Sequence, residues 1–285
     1  MVQLSIAQEW LTSMDAAKRL AAIQDKLIIM VWEETSLYQY PVLITYENDK
    51  VQVQNLFNND PLNSVLWEHF IPVIVPEYNY DQLYASIKGK RTQAYVDKFN
   101  DDSIKVMDSN GNIINTTLQY EAYLDIVKFI KTYALNTSYL KPEITTYSEQ
   151  NNLYTTLRLG SKYIDYAIFV NDKVRPEIIN LSTIYLVETE AMLIDSESED
   201  KDDILQRLSL LKLKQQLILN KPKKVLRQLK RIDNADIKET NQEYIDFLYY
   251  TSYLLLKDEN NASVWRSKLS LLNLKKANLI ITNIL

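Results

Sequence analysis

A six-residue apolar run, Leu27-Ile-Ile-Met-Val-Trp32, is bracketed by Lys26 and by Glu33-Glu34. With no polar residue alternating through it, the run predicts a strand buried on both faces, as in a parallel or mixed sheet. The chain around it shifts between helical and extended periodicity. Upstream, Met14, Ala17, Leu20, Ala21 and Ile23 make one apolar face against Asp15, Lys18, Arg19 and Gln24. That spacing predicts a helix from Met14 to Gln24, with Ser13 as N-cap and Trp10-Leu11-Thr12 as a short strand before it.

Downstream, Val42 to Tyr46 and Lys50 to Gln54 flank Glu47-Asn-Asp49 and predict a β-hairpin with a three-residue loop. Val51 and Val53 alternate with Gln52 and Gln54, so one face of that hairpin should be wet. Asp60 is read as an N-cap and Pro61 as the first residue of a short helix through Phe70. A second buried strand, Ile71 to Val75, follows, then a helix capped by Asp81 that runs to about Lys88 and is broken at Gly89, with one more turn to Phe99. Ser103 to Met107, Asp108-Ser-Asn-Gly111 and Asn112 to Ile114 read as strand, tight turn and strand, before a helix from Tyr120 to Tyr133.

Residues 136 to 142 read as a linker, after which strand signals fade. Helices are predicted from Glu149 to Val170, Arg175 to Asp195, Lys201 to Leu219, Pro222 to Ile232, Gln242 to Leu256 and Ala262 to Ile280. The expected organisation is therefore an α/β domain over 1–136 and an all-helical domain over 137–285. The acidic run Asp195 to Asp203 lacks the glycine and the register of a calcium loop, so it is read as a solvated connection feeding a helix N-terminus. Lys221 to Arg231 is read as an amphipathic helix with Val225, Leu226 and Leu229 inward.

Composition narrows the chemistry. The chain has 285 residues, no cysteine, one histidine and three glycines. Without cysteine there is no disulfide, thiolate nucleophile or zinc–thiolate site. His69 alone cannot make a two- or three-histidine metal site and leaves a serine or threonine nucleophile only one imidazole base. Its place at the end of a short helix favours a packing or capping role. Walker and dinucleotide fingerprints are absent. A net charge of −5 argues against general nucleic-acid binding. No stretch reaches the roughly 18 apolar residues of a membrane span. Ser5-Ile6-Ala7 is similar to the end of a signal-peptide cleavage site, so residues 1–8 are either the stub of an export signal or a first strand; the first places the protein outside the cytoplasm and the second leaves it cytoplasmic.

Four segments carry a resemblance. They are Trp10-Leu-Thr-Ser-Met-Asp-Ala-Ala-Lys-Arg-Leu-Ala21, Lys26 to Trp32, Leu56 to Val73 with Asn59-Asp60-Pro61 and Trp67-Glu68-His69-Phe70, and Ile104 to Ile114 with Asp108-Ser-Asn-Gly111. In this order and spacing, Trp10 to Tyr133 resembles the thioredoxin-like fold, and most nearly the bacterial group in which the central strand leads into a Cys-x-x-Cys turn. The resemblance covers under half of the chain. The family's redox pair would fall near Leu37 and Tyr40, or near Tyr38 and Pro41 if the turn is one residue longer, and neither option offers a thiol, so dithiol exchange is impossible for this chain. The helix after that pair is replaced here by the 42–54 hairpin, and the family's cis-proline aligns near Asp102. In the helical half, Leu159-Gly160 with Tyr163 is similar to part of a tetratricopeptide first helix, without a clean 34-residue period.

What the resemblance implies is a redox-inactive framework with Tyr38, Tyr40, Tyr78, Tyr80 and Asp102 around one crevice beyond the strand ends. Tyrosines there are either a binding surface or filling for the volume the lost helix vacates. The leading expectation is a non-enzymatic module that binds a protein or peptide, with no cofactor and no metal. The alternatives are an accessory or chaperone-like subunit of a thiol–disulfide system whose cysteines lie on another chain, and a hydrolase using Ser36 or Thr35.

Overall fold

The computed structural model describes residues 9–46, 50–117, 123–194 and 196–285, with the backbone only of Asn234. Residues 1–8, and with them the export-signal reading, lie outside the described residues, as do the hairpin loop 47–49 and the segment 118–122. The chain is mixed α/β and predominantly helical. It divides into two compact units, Met1–Thr145 and Thr146–Leu285.

In the first unit, helix α1 (Met14–Gln24) is capped by Ser13, whose Oγ accepts from the Ala16 N–H, and it ends on Asp25 in the left-handed conformation. It covers the sheet with Ala17 and Ala21, both fully buried. Strand β1 (Leu27–Trp32) is buried at every residue because it is the central strand of its sheet. It pairs in parallel with β4 (Phe70–Val75) and antiparallel with β5 (Lys105–Met107). Leu11 adds a parallel bridge outside β4, and Ile113 an antiparallel one outside β5.

Pro72 sits inside β4 without breaking the ladder to β1. Its carbonyl accepts from the Leu11 N–H at 3.0 Å. A residue's N and C=O share one side of a strand, so the missing donor faces Leu11 and not the central strand.

A second small sheet places β2 (Pro41–Thr45) between β3 (Val51–Asn55), antiparallel, and β6 (Leu124–Asp125), parallel. Helix α6 (Ile126–Tyr133) leaves β6 through Asp125, whose Oδ1 accepts from the Val127 and Lys128 N–H groups at 3.1 and 3.0 Å. Between the two sheets in sequence lie the helical turn α2 (Glu33–Ser36) and helix α3 (Asp60–His69). Helices α4 (Tyr80–Ile87) and α5 (Gln93–Asn100) connect β4 to β5.

The second unit is built from α8 (Leu153–Tyr166), α9 (Arg175–Ile194), α10 (Lys201–Ile218), α11 (Pro222–Leu229), α12 (Glu239–Leu255), α13 (Glu259–Arg266) and α14 (Leu271–Ile284). Helix α7 (Lys141–Glu149) spans the boundary between the units. Helices α8 and α9 pack as a hairpin, and α12 packs against α10, α11, α13 and α14. At Gly160 the α8–α9 pair approaches so closely that a Cβ would lie 2.9 Å from Leu186 Cδ2 and 3.2 Å from Tyr185 Cβ. One turn on, Tyr163 and Tyr185 stack with centroids 5.3 Å apart. Arg175 ties a loop and a terminus to this core, donating to the carbonyls of Ala167, Val170 and Asn283.

Several sequence expectations need correction. The N-cap of α3 is Asn59, one residue before Asp60, because the Asn59 Oδ1 is the atom that accepts the Leu62 N–H, at 2.9 Å. Helix α4 starts at Tyr80, with no side-chain cap from Asp81, which lies in its first turn. The expected linker 136–142 carries a 3-10 turn (Ser138–Leu140) and the start of α7. The helix expected from Glu149 begins only at Leu153, where Asn152 and Thr155 form a capping box. The helix expected from Ala262 to Ile280 is two helices, broken where Ser270 caps α14. The helix preceding Tyr133 starts at Ile126, since Leu124 and Asp125 are taken into the second sheet.

Candidate functional site

Two turns meet beyond the carboxyl ends of β1 and β4. After Trp32 the chain makes α2, in which the Ser36 hydroxyl donates to the Glu33 carbonyl at 2.7 Å. After Val75 it makes a 3-10 turn, Glu77–Asn79. The Glu34 N–H donates to the Glu77 carboxylate at 3.2 Å, which fastens the two turns together. The position expected to hold a simple turn into the hairpin is therefore one helical turn of two glutamates, a threonine and a serine.

Beneath these turns lies a layer of aromatic rings. The Trp32 indole N–H donates to the Phe99 carbonyl at 2.9 Å, and the two rings meet edge to face at 5.2 Å. Tyr80 contacts Trp32 at 5.6 Å and Phe99 at 5.5 Å, stacks on Tyr84 and donates its hydroxyl to Asn100 Oδ1 at 2.8 Å. Tyr40 is held between Phe57, at 6.0 Å, and the loop before β5, where the Ile104 N–H donates to its hydroxyl. Burial, helped by the negative charges of Asp101 and Asp102, pushes the Tyr40 hydroxyl up to about 12, against the smaller opposing effect of that N–H.

Under the same loop is a lysine whose ammonium is closed off from water. Lys105 is fully buried, lies over the Trp32 ring at 5.9 Å, donates to the Asp101 carbonyl and pairs with the Asp101 carboxylate at 3.3 Å. Burial lowers it to about 8 despite the carboxylate that favours its charged form. Burial alone would raise Asp101, but the Ser103 hydroxyl and the charges of Lys98 and Lys105 outweigh it and hold the carboxyl below its ordinary value.

The five residues expected around the crevice thus divide. Tyr40 and Tyr80 are packed into the layer just described, whereas Tyr38 and Tyr78 are exposed, at 69% and 83%. Asp102 is exposed on the loop that carries Asp101, close enough to act on Tyr40. The Ser36/Thr35 hydrolase reading loses its base. His69 precedes Phe70, which pairs with the start of β1, whereas Ser36 follows the end of β1. The six-residue strand spans roughly 16 Å from its first residue to its last, and that length separates the two ends. Among the described residues, no group of three or more His, Asp or Glu is placed to hold a metal ion. No helix among them is long and apolar enough to cross a membrane.

A second cluster of charge sits inside the helical unit. Asp165 on α8 pairs with Lys214 on α10, whose side chain is 3% exposed, and with Lys276 on α14 at 3.5 Å. Burial would raise Asp165, yet the two ammonium groups outweigh it and lower the carboxyl. The buried Tyr244 hydroxyl lies beside Lys214, and burial pushes it up against the opposing effect of that ammonium. Arg207 covers the Tyr244 ring at 4.4 Å. The sequence carries no sign of either buried lysine. Each is one charge in a stretch whose pattern reads equally well with that side chain at the surface.

Comparison with known proteins finds no matching family model, no similar curated protein and no similar solved structure.

Proposed function

We propose that this chain is a non-catalytic, thioredoxin-like protein that serves as a protein- or peptide-binding scaffold, with a helical-hairpin region, tetratricopeptide-like in the loose sense, as its second half. The observation that carries this reading is the construction of the turn after β1. A central strand flanked by a parallel neighbour and an antiparallel one ends in Glu33-Glu34-Thr35-Ser36, where the resemblance would place thiols. The order Leu11, β4, β1, β5, Ile113 supports the thioredoxin-like part. The close α8–α9 approach at Gly160 supports the helical-hairpin part. Tyr38 and Tyr78 then extend from turns already tied together by Glu34 and Glu77, and large rings on fixed turns suit contact with another chain.

The test is affinity capture from native extract with the wild type and with a Tyr38→Ala/Tyr78→Ala variant. Both substitutions remove exposed rings, so the thermal midpoint should hold while a reproducible partner is lost. Tyr40 is a poor choice for this purpose because it is packed. Absence of any reproducible partner, or turnover of a substrate by the purified chain, refutes the reading.

A further inference from the structure

The second sheet ends on β3, which among the described residues pairs only with β2. The ladder fixes which way the β3 backbone faces. The Tyr46 N–H donates to the Lys50 carbonyl and the Leu56 N–H to the Tyr40 carbonyl, each at 2.9 Å. Direct pairs that exchange bonds alternate with pairs that do not. The even positions of β3 therefore bond to β2, and the N–H and C=O groups of Val51, Val53 and Asn55 point off the edge of the sheet. Val51 and Val53 are also 56% and 60% exposed, and β3 has none of the charges or prolines that usually blunt an open edge.

The other face of the same strand borders an open cleft of about 390 Å³, a size that accommodates a bound group. Its walls are mainly apolar, with Ile44, Leu62, Val65, Ile126 and Ile130, and no charged residue among the described ones lines it. Gln54 stands at its β3 side in a fixed orientation. Because Asn59 Oδ1 is taken by the Leu62 N–H, its Nδ2 turns to Gln54 Oε1 at 3.0 Å, leaving the Gln54 amide N–H groups as donors.

We propose that β3 takes up an extended segment of a partner protein as an added strand, with an apolar side chain of that segment seated in the cleft. The outward N–H and C=O groups call for another backbone. The cleft calls for an uncharged apolar residue at the alternate positions facing it, and strand addition supplies both at once. A second copy of this chain fits less well. Antiparallel self-pairing centred on Val53 would carry Gln52 and Gln54 of that copy to the cleft side and leave its apolar walls uncovered. The proposal goes beyond the reading given above and uses neither Tyr38 nor Tyr78.

The experiment is fluorescence anisotropy of the full chain with a dye-labelled nine-residue peptide of alternating threonine and leucine. Saturable binding in the micromolar range is expected, weakened at least tenfold when alternate peptide amides are N-methylated. Val53→Pro should weaken binding by a similar factor with the circular dichroism unchanged, because the Val53 N–H takes no part in the β2 ladder. Val65→Lys, which brings a charge to the cleft, should also weaken it, whereas Tyr38→Ala/Tyr78→Ala should bind as the wild type does. No saturation up to about 1 mM, or equal binding by the N-methylated peptide, overturns the proposal. So does a concentration-dependent dimer that Val53→Pro abolishes, since it would give the edge to a second copy.

Discussion

The Asp165–Lys214 pair offers the sharpest test of how the helical unit is held together. Asp165→Asn keeps the shape of the side chain and removes its charge. The Lys214 ammonium, on a side chain 3% exposed, then faces a neutral amide, and Lys276, 39% exposed, loses the same partner. Leaving one member of a buried ion pair uncompensated costs about 3–5 kcal/mol. With a urea slope of about 2 kcal/mol per molar, the midpoint of the helical transition should fall by roughly 2 M. The double variant Asp165→Leu/Lys214→Met removes both charges and should recover most of the loss, because a buried pair replaced by apolar groups is often near neutral.

The pH dependence has a definite sign. The folded-state value of Asp165 is lowered, so its stabilisation is complete above the unfolded value near 3.9 and is lost as the pH falls through the lower folded value. The deficit of Asp165→Asn should therefore be constant near neutrality and shrink in strong acid. Circular dichroism in urea at several pH values reads both effects. An Asp165→Asn midpoint equal to that of the wild type would refute the account, as would a double variant as unstable as the sum of its parts.

The remaining predictions concern single positions. Lys105 has a folded value of about 8 against an ordinary 10.5, so the unfolded chain holds the extra proton between these values and stability should rise with pH across that window. Lys105→Met should flatten the rise, and identical slopes would refute it. Tyr40, raised to about 12, acts with the opposite sign, so above about pH 10 stability should fall in the wild type and fall less in Tyr40→Phe. Gly160→Leu should destabilise the α8–α9 hairpin by about 1–3 kcal/mol, through overpacking against Leu186 and Tyr185, measured as a lower urea midpoint. Trp32→Phe strands the Phe99 carbonyl and should cost about 1–3 kcal/mol on the same assay, with unchanged stability counting against that bond.

The sequence by itself determined the elements whose residues all report the same environment. Leu27 to Trp32 is apolar throughout because both its faces and both its edges are covered, and Met14 to Gln24 repeats with the helical period because one face is buried. Both elements form over the predicted bounds. The lack of cysteine likewise settled from composition that no disulfide or dithiol chemistry belongs to this chain. Ends and breaks were less legible, since Asn59 and Asp60 are chemically similar candidates for one cap and only the folded backbone selects between them, and nothing in the period from Ala262 to Ile280 marks the break before Leu271.

Tertiary structure alone decided the rest. Tyr38 and Tyr40 look alike in sequence, yet one is exposed and the other packed against Phe57 and bonded to Ile104, because only the folded chain brings the loop before β5 alongside. The Val51-Gln-Val-Gln alternation announced two faces without saying which one borders the cleft. The valines are exposed, and Gln52 and Gln54 line the cleft, because α3 is capped by Asn59 on that side and fixes Gln54 there. Asp165 and Lys214 are single charges in unremarkable patterns, and they are held inside by pairs 49 and 111 residues apart, Asp165 with Lys214 and with Lys276, that no local period encodes. Periodicity is a property of neighbours along the chain, whereas charge compensation and open edges are properties of neighbours in space.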